Sequence, residues 1–324
     1  MPNLTFQHLA VCLPAHNEAD SLSTLLPELD DALGLIRLKQ VTVFVFDDGS
    51  QDGTADVVRS ANLSNAEVFL IQSLARVGKS SGLQRCVSLA LKAGADAVVM
   101  MDADGQDNPA YIPDMLLHLN SGFDVVNGRR RNRAHGFGKR ISSRAFNSMV
   151  RLVTRQKFLD VNSGLKAFSQ RGAESLGPYF YGELHRVILI IAVWIGLSVG
   201  EEPVMNRPRF AGRTKYGFAR GWRGLSDLLT IQFLRRYHNS PGHFFSWFGG
   251  FLIFLGTLLF GLGFDGSEAG GVFDFLPWSG VTIGGFGLML VSFGFLSELM
   301  LFLAKAPVTS VTTVTRVGSR SPKP

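Results

Sequence analysis

The sequence predicts an α/β protein: a doubly wound, mainly parallel sheet followed by a C-terminal two-helix transmembrane hairpin. Three observations predict it. Short apolar runs alternate with helical patterns through the N-terminal part of the chain, which is the signature of parallel strands joined by crossover helices. Acidic turns recur where those runs end, and open α/β sheets bind ligands at the carboxyl ends of their strands. Finally, Phe244 to Phe264 is an uncharged run of 21 residues and Trp278 to Ser297 another of 20, each long enough to cross a hydrocarbon core about 30 Å thick.

Leu9 to Pro14 is the first expected strand, followed by a helix over Asp20 to Leu33. Val41 to Phe46 is the second, ending on Asp47-Asp48-Gly49-Ser50, with a helix from Gly53. Val68 to Ile71 gives a third strand, Ser81 to Ala93 a helix, Ala97 to Met101 a fourth strand and Asp124 to Asn127 a fifth. Pro109 marks a helix start, since proline fits the first turn. Helical patterns recur at Ser142 to Thr154, His185 to Ile195 and Gly224 to Phe233, and the tail after Pro307 is expected to be disordered.

The fourth strand carries the most chemistry. Asp102 and Asp104 lie two apart at its end, so on an extended segment they face the same way. As hard oxygen donors they suit Mg²⁺ or Mn²⁺ already carrying phosphate oxygens. Asn17-Glu18 and Asp47-Asp48 end the first two strands, and the three acidic turns converge on one crevice able to grip base, ribose and metal of a single nucleotide. Taken singly, each acid is also an ordinary turn or helix-capping residue. Arg76-Val77-Gly78-Lys79-Ser80 is not a P-loop, because Ser73 stands where the first glycine is required; Gly78 and Lys79 before a helix still suit an anion.

Composition narrows the partners. The chain has 324 residues, 46% hydrophobic, with a net charge of +6. From Phe244 onward four acids balance four bases, so the excess belongs to the preceding part. It is clustered: residues 129–159 hold ten Lys or Arg and no acid, and residues 203–226 hold six and no acid. Such blocks seek phosphoryl ligands or anionic head groups; no nucleic-acid-binding motif accompanies them. Arg235 and Arg236 precede the first apolar run and Lys305, Arg316 and Arg320 follow the second, while the loop between carries only acids. The positive-inside rule then puts both chain ends in the cytoplasm, and residues 1–8 lack the features of a signal peptide. Cys12 and Cys86 are too few for a disulfide framework, and the histidines show no zinc-ligand spacing. Glu298, near the inner end of the second run, reads equally as a snorkelling or a functional acid.

The ordered motifs resemble the inverting family-two glycosyltransferases, and within them the polyprenol-phosphate sugar transferases similar to dolichol-phosphate mannose synthase. The elements are Leu13-Pro14-Ala15-His16-Asn17-Glu18, Asp47-Asp48-Gly49-Ser50-Gln51-Asp52-Gly53-Thr54, Gly78-Lys79, Asp102-Ala103-Asp104-Gly105-Gln106, Gly128-Arg129, Ser163-Gly164-Leu165-Lys166-Ala167-Phe168, Glu183-Leu184-His185-Arg186 and Arg209 to Gly217. The resemblance implies a nucleotide-binding sheet of the glycosyltransferase A type. It implies Pro14, Ala15, Asn17, Glu18, Asp47, Asp48, Lys79 and Asp102 around a nucleotide sugar, and Asp102, Asp104 and Gln106 around Mg²⁺ or Mn²⁺. Two departures stand out: Asp107-Asn108-Pro109 where the family often has His-Pro-Pro, and Thr214 where it usually has Ser.

By the same resemblance the acceptor is a polyprenyl phosphate, undecaprenyl or dolichyl, carrying close to two charges. Bringing it to an anionic donor needs counter-charge, for which Arg129, Arg140, Arg144, Arg209 and Lys215 are candidates. Arg130, Arg131 and Arg133 read as lipid head-group residues. Asp160 stands where related enzymes carry an acid and is expected to orient acceptor or basic residues. The expected catalytic set is therefore Asp104, Arg129, Arg140, Asp160, Arg209 and Lys215. The expected organisation is a cytoplasmic catalytic domain over residues 1–219, an amphipathic segment over 220–242, two transmembrane helices over 243–305 and a tail over 306–324, in a bacterial inner membrane; a homo-oligomer is left open. A processive polysaccharide synthase is the rival enzyme, weakened by only two spans and by the lack of a Gln-x-x-Arg-Trp run. The non-catalytic rival is a membrane-tethered nucleotide-sugar scaffold, which has no need of metal or acceptor residues.

Overall fold

The computed structural model of the chain describes residues 4–131, 160–161, 163–207, 233, 236–237, 240–265, 275–304 and 313–317. Contacts divide the chain into two units, one of residues 1–228 with 311–324 and one of residues 229–310.

In the first unit, β1 (His8–Ala15), β2 (Gln40–Asp47), β3 (Glu67–Gln72) and β4 (Ala97–Met100) form a parallel block in the order β4-β1-β2-β3. They are apolar almost throughout because helices cover both faces, as in parallel sheets generally. α1 (Ala19–Gly34) buries Leu22, Leu25, Leu26, Leu29 and Leu33, one stripe at helical spacing. α3 (Lys79–Lys92) buries Leu83, Cys86, Val87 and Ala90. The short α2 (Thr54–Ser60) and α4 (Ile112–Asn120) complete the crossovers. Register aligns the strand ends: Ala15 pairs with Asp47, and Cys12 with Met100. The chain therefore leaves β1, β2 and β4 at the same edge of the sheet.

Beyond β4 the sheet is more mixed than a doubly wound reading suggests. β5 (Val125–Arg130) and β6 (Lys166–Ser169) come next in sequence, followed by α5 (Gln170–Leu176), a 3₁₀ turn Leu184–Val187, α6 (Ile188–Trp194) and β7 (Val199–Val204). β6 inserts between β4 and β5 antiparallel to both, and β7 closes the edge parallel to β5. β8 (Thr313–Val317) pairs antiparallel to β3 at the opposite edge. Within the expected disordered tail, residues 313–317 therefore form a strand, Thr and Val being strong strand formers once an open edge is available; the rest of the tail lies outside the described residues. The expected helix at His185 is 3₁₀ through its polar start and α-helical only from Ile188. The expected helix at 142–154 lies outside the described residues.

The second unit holds α7 (Pro241–Asp265) and α8 (Leu276–Ala304). Within them Pro241–Gly263 and Leu276–Met300 have mean hydropathies of 1.9 and 1.7, yet only 11% and 17% of their most apolar stretches is buried. A soluble core helix with such hydropathy would be covered; these present Phe251, Phe254, Phe286 and Phe293 outward. Trp247 and Trp278, both exposed, stand near the first residues of the two helices, where amphipathic rings anchor at a membrane interface. The helices meet through glycine. A Cβ on Gly249 would lie 2.6 Å from Gly287 O, and one on Gly256 2.5 Å from Gly280 O, so only glycine permits this approach. Glu298 finds its role here, accepting from the Gly242 N–H at 3.0 Å and so satisfying an orphan donor in the first turn of α7.

Candidate active site

The loops leaving β1 and β2 are stitched into one wall. Asn17 adopts a left-handed conformation, φ 56°, which asparagine tolerates better than most residues. Its N–H donates to Ser50 Oγ at 2.9 Å and its Oδ1 accepts from Gln51 N–H at 2.9 Å. Glu18 N–H donates to Thr54 Oγ1 at 3.0 Å, and the Glu18 carboxylate accepts from Ser21 Oγ at 2.9 Å. Asp47 accepts from Ser50 N–H at 2.9 Å. Asp48, buried, accepts from Val77 N–H at 2.7 Å and from Gly78 N–H at 3.1 Å. It thereby fixes the loop in front of α3, where Gly78 takes φ 93°, a value that disfavours any side chain. Pro14 and Ala15 end β1 beside this wall.

That loop delivers Lys79. Its ammonium pairs with Asp102 Oδ1, both side chains being about a third exposed. Burial works against both charges, but each is the other's strongest support. Asp102 holds the Lys79 pKa above its usual value, and Lys79, then Lys166, hold Asp102 below its own. Asp104, buried, accepts from Gln106 N–H at 3.1 Å. Asp107, also buried, accepts from Asp102 N–H at 3.3 Å. Burial, then the charges of Asp102 and Asp104, push the Asp107 carboxyl up to about 7.

The third wall is the run into β6. Gly164 crosses directly over the carboxylates: a Cβ there would lie 2.5 Å from Asp107 Oδ2 and 2.8 Å from Asp102 Oδ2. Lys166, buried, donates to the Ser163 carbonyl, and burial, opposed by Asp160 and aided by Lys79, lowers its pKa to about 8. Asp160, 2% exposed, is gripped by Arg130 through Nε at 2.6 Å and Nη2 at 3.1 Å. Arg130, read from sequence as a lipid head-group residue, is thus an internal partner of Asp160, a fork-on-carboxylate geometry that lysine could not reproduce. Arg129, next along β5, is partly exposed and has no ion-pair partner among the described residues. His185 Nδ1 lies 2.7 Å from Ser80 Oγ. Lys166, His185 and Gly164 all fall in the sequence motifs, but residue type and spacing alone give them no task. Arg140, Arg144, Arg209 and Lys215 lie outside the described residues.

The donor set fits a divalent cation. Among the described residues no three His, Cys, Asp or Glu side chains form a closed cage, but Mg²⁺ characteristically takes one or two carboxylates and completes its shell with water and substrate phosphates. Asp102, Asp104 and Gln106 supply oxygen only. The raised Asp107 carboxyl marks an excess of negative potential that such a cation would relieve.

Comparison with known proteins gives the family and the fold. Residues 10–175 match the family described as Glycosyl transferase family 2. A dodecaprenyl-phosphate galacturonate synthase of Rhizobium johnstonii is 32% identical over 79% of this chain and 76% of its own length. An undecaprenyl-phosphate 4-deoxy-4-formamido-L-arabinose transferase of Edwardsiella ictaluri is 29% identical over 70% of this chain and 68% of its own. In fold, the chain resembles glucosyl-3-phosphoglycerate synthase of Mycobacterium tuberculosis, solved with Mg²⁺ and UDP: TM-score 0.52, 21% identity, 69% of this chain and 79% of that one.

Proposed function

The chain belongs to glycosyl transferase family 2, among the polyprenyl-phosphate sugar transferases, and from that premise we propose that it moves one sugar from a UDP- or GDP-sugar to undecaprenyl or dolichyl phosphate. The observation that carries this reading is the meeting of Lys79, Asp102, Asp104 and Asp107 where β1, β2 and β4 end. A free phosphate oxygen of the acceptor attacks the anomeric carbon, the bond from that carbon to the diphosphate oxygen breaks, and the nucleoside diphosphate leaves with the electron pair. One direct displacement inverts the anomeric centre.

A phosphate monoester with a second pKa near 6 is already ionised at neutral pH, so the nucleophile needs no side chain to deprotonate it. Asp160 supports that view. Its carboxylate is occupied by Arg130, which suits a residue that orients a basic wall better than one that takes a proton. Catalysis then rests on positioning and charge. Lys79 offers an ammonium to the donor phosphates, and Arg129, unpaired among the described residues, offers a fork to the acceptor phosphate. Arg140, Arg209 and Lys215 belong to the same proposed counter-charge. Mg²⁺ or Mn²⁺, held by Asp102, Asp104 and Gln106, would stabilise charge on the departing diphosphate. Pro14, Ala15, Asn17, Glu18, Asp47 and Asp48 would form the nucleoside wall. The hairpin would anchor the enzyme with its catalytic domain on the cytoplasmic side of a bacterial inner membrane, where the basic segments meet anionic lipid.

The test is transfer of radiolabel from a panel of UDP- and GDP-sugars into extractable lipid by the full-length protein in membranes. Label should enter an acid-labile lipid only when polyprenyl phosphate and divalent metal are both supplied, and Asp104→Ala should abolish it while membrane insertion is unchanged. Label in a long polymer, or full activity in Asp104→Ala, would refute the proposal.

A further inference from the structure

We infer that His185 is a specificity-determining residue, its Nε2 hydrogen-bonding a hydroxyl of the sugar carried by the donor. The inference rests on the proposed sugar transfer and adds to it the group that reads the sugar. The turn Leu184–Val187 meets α3 at the first turn of that helix, where His185 Nδ1 and Ser80 Oγ are 2.7 Å apart. Ser80 is buried and directly follows Lys79, whose ammonium holds Asp102. The imidazole is therefore one residue removed from the Lys79–Asp102 pair and within electrostatic reach of Asp102 and Lys166. A sugar esterified to a diphosphate bound at that pair cannot lie far from the ring.

The ring's chemistry matches a neutral hydroxyl better than a phosphate. Burial, then Lys79 and Arg186, push the His185 pKa down to about 3, so the ring is uncharged at any working pH. Ser80 accounts for one ring nitrogen, and among the described residues Nε2 has no partner. A neutral imidazole offers at Nε2 one donor or one acceptor, according to how the serine hydroxyl turns. Because Ser80 fixes the ring, a sugar with its hydroxyl displaced would cover Nε2 without pairing it, which discriminates far more strongly than a missing apolar contact does. Phosphate recognition is left to the charged neighbour Lys79.

The experiment compares wild type, His185→Ala, His185→Asn and Ser80→Ala as purified full-length protein with Mn²⁺. Binding of UDP and GDP is measured by calorimetry, and KM and kcat are measured for UDP- and GDP-sugars differing at single hydroxyls. In His185→Ala, nucleoside diphosphate affinity should stay within about two-fold of wild type. KM for the preferred sugar nucleotide should rise about ten-fold, and preference over its epimers should fall by a similar factor, as expected for a hydrogen bond worth roughly 1 kcal/mol or somewhat more. His185→Asn should recover part of the preference, and Ser80→Ala, which frees the ring without removing it, should lie between. Parallel loss of nucleoside diphosphate affinity, or an unchanged epimer preference in all three variants, would overturn the inference while leaving sugar transfer intact. A wild type that binds neither diphosphate and transfers no sugar would overturn the underlying reading instead.

Discussion

Replacing Gly164 by alanine tests whether the run into β6 shapes the carboxylate cluster. The added methyl would lie 2.5 Å from Asp107 Oδ2 and 2.8 Å from both Cγ and Oδ2 of Asp102, distances that no carbon and oxygen pair sustains. Neither neighbour is free to yield, because Asp102 is tied to Lys79 and Asp107 to the Asp102 amide. Leu165 next along the chain is fully buried, so the backbone cannot easily lift away. Overpacking of this kind costs about 1–3 kcal/mol. If the strain is relieved by displacing the carboxylates, it falls on the transition state and slows turnover roughly 5- to 150-fold. If it is absorbed by the fold, thermal unfolding shifts down by about 2–4 °C per kcal/mol. Initial rates of label transfer and an unfolding curve on the same preparation read both. Gly177→Ala is the control, since a Cβ there meets nothing within 4 Å. Wild-type rate together with wild-type unfolding in Gly164→Ala would refute the placement of this segment over the acids.

Two further perturbations address stability. The Asp107 carboxyl, raised to about 7, stays protonated in the native state through a pH range where the unfolded chain has lost the proton. The native state then binds more protons, and stability falls as pH rises from about 4 to 7. Unfolding of the metal-free protein in chelator should show that decline, and Asp107→Asn should flatten it; an equal slope in both proteins would contradict the assignment. In the hairpin, Gly256→Leu should part the helices and reduce the folded yield in detergent. Gly261→Leu, at a position with nothing within 4 Å, should be tolerated; equal yields would mean that the seam does not hold the pair.

The parallel block was legible because its strands are uniformly apolar runs between helical patterns, and the site because three such runs end on acids. What escaped was set by pairing rather than composition. β6 is only Lys166 to Ser169 and begins on a buried lysine, which no periodicity flags as a strand. β7 reads Val-Gly-Glu-Glu-Pro-Val, a sequence tolerable because it is an edge strand, where Pro203 forfeits no ladder bond on the open side. Arg130 looked like one more residue of a basic block; only the fold brings buried Asp160 to it. The hairpin was visible as two apolar runs, but the pairing of its glycines depends on how the helices face each other.

The glycines of that hairpin carry a constraint on length. Gly242, Gly249, Gly256 and Gly263 on α7, and Gly280, Gly287 and Gly294 on α8, recur every seventh residue, so each seam position inherits its azimuth from the one before. A single residue inserted within either helix would rotate everything beyond it by about 100° and present bulky side chains where backbones now touch. Substitutions can drift freely on the lipid face, but insertions and deletions are confined to the ends of the helices and the loop between them. The anchor is written in whole turns.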